Sequence, residues 1–196
     1  MDTERMYQLF TNDKFLKMEG LGNEVPFFVY TYDIEGQAEV YTLVEGLAKR
    51  LTTAGIKVCM VGLYDMVIDH FRRSGELEDL FAYEQEVSKK EFLHEMQSYL
   101  SYDEVIKPFF REKLEEDAFK LMCVYQVGEV FPYIRTHQLL NQLQSVVTDM
   151  PMVVLFPGEY ITSYEHGFTL NLFGKFEGPY YRAFKLEDYL VRGNIK

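Results

Sequence analysis

Residues 25–62 read VPFFVYTYDIEGQAEVYTLVEGLAKRLTTAGIKVCMVG, and this stretch decides the fold. Its two ends, 25–32 and 56–62, are short runs of β-branched and aromatic residues. They are nearly continuous rather than alternating, as strands are when helices cover both faces of their sheet. Between them, over roughly 36–53, Val40, Leu43, Val44, Leu47 and Leu51 recur at helical spacing on one face. Strand, helix and strand in that order make a right-handed crossover unit, from which parallel sheets are built.

Two more runs of the same kind follow, at 119–127 (FKLMCVYQV) and 151–156 (PMVVLF). After the second strand, LYDMVIDHFRR carries a helical stripe of Tyr64, Val67, Ile68 and Phe71. Residues 74–118 read as a helical insertion in which Ser88-x-x-Glu91 and Ser101-x-x-Glu104 fit helix starts. Pro108 should open a helix rather than sit inside one. Pro132 fits the first turn of a further helix bearing Leu139, Leu140, Leu143, Val146 and Val147. The segment 168–186 alternates around Gly174 and Gly178-Pro179, the pattern of an antiparallel hairpin. The expected fold is α/β. It is a doubly wound, mainly parallel sheet, Rossmann-like or degenerate P-loop-like, with a helical insertion and a C-terminal antiparallel hairpin. No linker composition interrupts residues 1–196, so one domain is expected.

The chain has 20 basic and 31 acidic residues, a net charge of -11. That balance argues against a broad phosphate-binding face, so no direct nucleic-acid contact is expected. Cys59 and Cys123 both sit in apolar runs and read as small buried hydrophobes in a reducing compartment. The opening MDTERMYQLF lacks the pattern of a signal peptide, and no apolar run nears the roughly 20 residues that span a bilayer. A cytoplasmic protein without membrane contact is expected.

Open α/β sheets take ligands at the carboxyl ends of their strands. The turn after the first strand has Gly36 alone, with no dinucleotide fingerprint, and the Gly174-Lys175 pair is followed by Phe176, so it is no phosphate loop. His94-Glu95 starts a zinc-protease pattern, but Ser98 stands where the second histidine belongs. One constellation survives. Carboxylates follow all four strands: Asp33 and Glu35, then Asp65, Glu129 and Glu159. On a shared rim they could hold a divalent cation; acidic residues are equally favoured near helix starts for capping. No cofactor is implied.

A second feature is VGEVFPYIRTHQLLNQLQ, residues 127–144. His137, Asn141 and Gln144 form one polar stripe of the helix, and Arg135, Gln138, Gln142 and Ser145 another. Solvent-facing helices usually carry Lys and Glu; uncharged amides suit a surface desolvated against a partner, and equally Arg135 and His137 could serve only to satisfy buried carbonyls within the domain.

This segment, with MPMVVLFPGEY, LNLFG, PYYRAF and the earlier GNEVPFFVYTYD and GIKVCMVGLYDMVIDHF, resembles the BrxB family, the small component of BREX phage-defence systems. The resemblance covers roughly residues 20–186 and implies a cytoplasmic protein encoded with a large ATPase, a DNA methyltransferase and a PglZ-type protein of the alkaline phosphatase superfamily. It carries over no catalytic residue. What it implies is a non-catalytic adaptor or regulator that binds the PglZ-type subunit alongside other BREX subunits. The interface would be Arg135, His137, Asn141 and Gln144, with Tyr160 and Tyr181 as aromatic anchors. The alternative is a divergent metal- or nucleotide-dependent enzyme that uses the strand-end carboxylates.

Overall fold

The four sequence-predicted strands form one parallel sheet in a computed structural model that describes residues 3–19, 25–163, 167–180 and 183–191. They are β1 (Phe27–Tyr32), β2 (Val58–Gly62), β3 (Leu121–Tyr125) and β4 (Met152–Ser163). A short strand, β7 (Phe184–Lys185), joins beside β1, giving the order β2-β3-β4-β1-β7 with every pair parallel. Between β4 and β7 lie β5 (Gly167–Leu172) and β6 (Phe176–Tyr180), an antiparallel hairpin on the far half of β4.

The nearly continuous apolar runs divide cleanly between two faces, because successive strand side chains point in opposite directions. Phe27, Val29, Cys59, Val61, Met122, Val124, Met152 and Val154 enter one core. Phe28, Tyr30, Leu121, Cys123, Val153 and Leu155 enter the other. The second core is closed by α1 (Thr3–Phe10), α2 (Asp13–Leu16), α3 (Gln37–Thr53) and α9 (Leu186–Val191). The first is closed by α4 (Leu63–Ser74), α6 (Lys89–Tyr99), α7 (Lys107–Glu115) and α8 (Thr136–Leu143), with α5 (Leu77–Glu86) outside them. The connection β1–α3–β2 crosses the sheet one way, and the connections to β3 and β4 return the other way on the opposite face. A single crossover hand requires that arrangement.

The open, mainly parallel α/β sheet is as expected, with β4 and β3 lying between β1 and β2. Several local expectations need correction. The helical insertion is no appendage, since Phe92, Met96, Leu100, Ile106 and Phe110 complete the first core. Its capping signals are as read: Ser88 Oγ accepts from Glu91 N, and Ser101 Oγ from Glu104 N. In α4 the buried stripe is Leu63, Met66, Val67 and Phe71, which turns Tyr64 outward. Pro132 does not open α8. It sits in a run of turns with a cis Phe131–Pro132 peptide, and the helix starts at Thr136. The hairpin ends at β6, and Phe184–Lys185 returns to the parallel sheet instead of extending it. β4 does not stop at Phe156. Its pairing with β3 ends at Val154, so Pro157, with no N–H, lies opposite Tyr32 of β1 and takes Phe173 N on its carbonyl at 2.9 Å.

Cys59 and Cys123 are buried free thiols on opposite faces of the sheet. Burial pushes them up to about 11 and about 12. Among the described residues no helix is long and apolar enough to cross a membrane.

Candidate functional site

The rim at the carboxyl ends of the strands is built by β1, β3 and the first turns of α3 and α4. After β1 the chain makes a single 3-10 turn, Ile34–Gly36, whose free amide at Glu35 donates to the Asp33 carboxylate at 3.2 Å. A phosphate loop at this position would leave such amides open to a ligand. Here Asp33 takes that role.

α3 then places Tyr41 over the rim. Its hydroxyl donates to Glu129 Oε1 at 2.8 Å and accepts from the backbone N–H of Gln126 at 3.2 Å. Tyr32, the last residue of β1, donates within hydrogen-bond range of Tyr41 Oη and Gln37 Oε1, both at 3.3 Å. Burial, reinforced by Tyr32 and Glu129, holds the Tyr41 phenol far above its ordinary range, and burial, with the Glu129 charge adding to it, pushes Tyr32 up to about 12. Both stay neutral donors at physiological pH. The crevice where a doubly wound sheet takes ligands is thus crossed by the protein's own side chains. Glu129 Oε2 is buried and receives no hydrogen bond from the described residues.

Gln126 organises the other side of the rim. It stands at φ +61, a positive value that non-glycine residues rarely adopt. Its side-chain oxygen accepts from Asp65 N at 3.1 Å in the first turn of α4. The N-cap of α4 is Gly62, which has no side chain to satisfy those first amides, so Gln126 caps the helix from a different strand. A Cβ on Gly62 would lie 2.5 Å from Gln126 Oε1 and 2.8 Å from Asp65 Oδ2, which accounts for the glycine.

The five carboxylates therefore follow their strands but do separate things. Asp33 caps a turn, Glu129 accepts from Tyr41, and Glu35, Asp65 and Glu159 are exposed. Among the described residues no three of His, Cys, Asp and Glu are placed to hold a metal ion.

The polar helix lies on the first-core side. α8 buries Thr136, Leu139, Leu140 and Leu143. Its most exposed line is Arg135, Gln138, Asn141 and Ser145, drawn from both sequence stripes, while His137, Gln142 and Gln144 are half-buried flanks. Burial first, then the positive charge of Arg135, holds His137 below the ordinary imidazole range, so it is neutral at pH 7. The loop ahead of the helix is tied down by Gln97 Nε2 to Pro132 O at 3.2 Å and by Tyr102 Oη to Arg135 O at 3.4 Å. Tyr160 is half-buried, and its hydroxyl donates to Ala183 O at 3.1 Å. Its ring is therefore engaged within the chain. Tyr181 lies outside the described residues.

Tyr41, Tyr32 and Gln126 carry no sequence signal of their own. Tyr41 reads as a flank of an apolar helix stripe, and only the strand order brings Glu129 opposite it.

No solved structure matches the chain at a significant level. The family described as "BREX protein BrxB" matches residues 59–186, more than half of the chain. A curated BREX protein BrxB of Bacillus cereus (strain H3081.97) is 28% identical over 183 residues, spanning 91% of this chain and 92% of that protein. Another from Escherichia coli O9:H4 (strain HS) is 26% identical over 175 residues, spanning 89% and 84%. Both relatives run nearly the full length of the sheet and its helical layers, and the chain belongs to the BrxB family of BREX proteins.

Proposed function

We propose that this protein is a non-catalytic component of a BREX-type phage-defence complex, an adaptor or regulator that binds the PglZ-type subunit. Family membership carries the reading. The rim adds support, because Tyr41 ties Glu129 Oε1 to Gln126 N and Asp33 takes the Glu35 amide, where a nucleotide site would keep such groups open. A cytoplasmic setting fits the two reduced, buried cysteines. The acidic net charge fits a protein that reaches DNA through its partners rather than by gripping it.

The surface assigned to PglZ is the exposed face of α8: Arg135 and Asn141, flanked by His137 and Gln144, with Tyr160 and, from the sequence alone, Tyr181 as aromatic anchors. One arginine surrounded by amides loses little hydration on docking and offers directional hydrogen bonds. Arg135 is the residue type most often dominant at such centres. Co-purification of the PglZ-type protein with the wild type and with Arg135→Ala/His137→Ala tests this. The double variant should retain at least about tenfold less partner. Undiminished retention would remove α8 as the interface, and absence of any complex would remove the adaptor role.

A further inference from the structure

Helix α5 has the composition to pack against something and buries no side chain fully. Its sequence, LEDLFAYEQE, includes Leu77, Leu80 and Tyr83, which are only half-buried where they rest on the first core, and Phe81, which is 44% exposed. Between α5 and the flanks of α4 and α6 runs a groove of about 520 Å3. Its floor is apolar and aromatic: Phe71, Leu80, Tyr83 and Tyr99, with the Tyr99 ring set edge-on to Phe71 at 5.9 Å. Tyr99 itself is 51% exposed. The rim is formed by Glu76, Asp79, Glu86 and Glu95, and no Lys, Arg or His lines the groove. Among the described residues none of these four carboxylates takes part in an ion pair.

We infer that this groove is a second docking surface and that its occupant is a basic amphipathic helix of a partner protein. An apolar seam on that helix covers Leu80, Tyr83 and Phe71, and Arg or Lys side chains flanking the seam reach the four rim carboxylates and the faces of the tyrosines. The chemistry selects against the other occupants. Phosphate-bearing nucleic acid and anionic lipid meet four carboxylates with no counter-charge. A second copy brings a net charge of -11 to the same surface. A trough between helices, with Leu80 and Tyr83 of α5 only half-covered, fits a helix better than an extended strand, which needs a sheet edge for its backbone. The groove is lined by α4, α5 and α6 and by no residue of α8, and the inference stands whether or not the PglZ-type protein binds α8.

The test uses the full chain and a fluorescein-labelled, capped peptide helix about five turns long, with Leu on one seam, Arg flanking it and Ala elsewhere. A sister peptide carries Glu in place of Arg. Fluorescence anisotropy should show saturable binding of the Arg peptide, weakened by salt, and none of the Glu peptide. Asp79→Lys/Glu86→Lys, at two exposed positions, and Tyr99→Ala should each weaken binding at least about tenfold. Glu39→Lys/Glu45→Lys, the same charge change on exposed positions of α3 across the sheet, should leave it nearly unchanged. Circular dichroism of each variant confirms the fold. Equal loss in both charge variants would reduce the effect to net charge and overturn the proposal, as would absence of saturable binding to the wild type. Sedimentation of the chain alone into a dimer that Asp79→Lys/Glu86→Lys dissolves would assign the groove to a second copy and equally overturn it.

Discussion

The hydroxyl of Tyr41 accepts from Gln126 N and donates to Glu129, so one oxygen holds the loop after β3 against α3. Tyr41→Phe leaves a buried amide and a largely buried carboxylate without that partner. It should destabilise the fold by about 1–3 kcal/mol, read as a lower denaturation midpoint in urea. Gln126→Ala removes the cap that Gly62 cannot supply and should cost about 1 kcal/mol in the same assay. The rim also sets a pH dependence. Burial pushes Tyr32 up to about 12 and Cys59 up to about 11, from ordinary values of 10.0 and 9.0. The unfolded chain releases these protons first, so from about pH 9 to 12 it binds fewer protons than the folded chain. Their contribution is complete below about pH 9 and is lost as pH rises through that window. Thermal midpoints should fall across it, and a flat profile would contradict the buried, neutral rim. At this scale the acids after each strand are legible from sequence alone. Their separate roles are not, because each depends on a partner distant in sequence: Asp65 N meets Gln126, and Glu129 meets Tyr41.

Elements were legible where periodicity is strong and obscured where proline punctuates. The stripe of α3 and the Ser88 and Ser101 caps read directly, since both are local patterns. Phe-Pro-Gly at 156–158 reads as the end of a strand, yet β4 continues, because β3 has already parted from it at that point. Gly158 makes the continuation geometrically workable. It sits at φ +151, and a Cβ there would lie 2.1 Å from Asn171 O in β5. Gly158→Ala should therefore cost roughly 2 kcal/mol or more and lower the melting midpoint by several degrees. α5 makes the opposite case, a recognisable helix whose inner face, Leu77, Leu80 and Tyr83, is only half-buried. Its amides should exchange hydrogen well ahead of those of α3 and β4, since local opening there exposes little. Protection of α5 equal to that of β4 would show that the helix is held more firmly than its packing implies.

For the molecule as a whole, near-continuous apolar runs announced a sheet covered on both faces, and alternation within each run then sorted the side chains into two cores. Strand order was beyond the sequence. It is fixed by which helical layer fits between β2 and β3 and by the return of Phe184–Lys185 beside β1, and both are long-range packing choices. The resulting molecule crosses the carboxyl-end rim with its own tyrosines and carries elsewhere a polar helix face with Arg135 as its one charge and an acidic groove. Its central claim, a binding component rather than a metal- or nucleotide-dependent enzyme, is tested most directly by titration calorimetry of the purified protein. The account predicts saturable heat on addition of the PglZ-type subunit and flat traces with magnesium, manganese and ATP. Saturable heat with magnesium and ATP, together with none from the PglZ-type subunit, would contradict it.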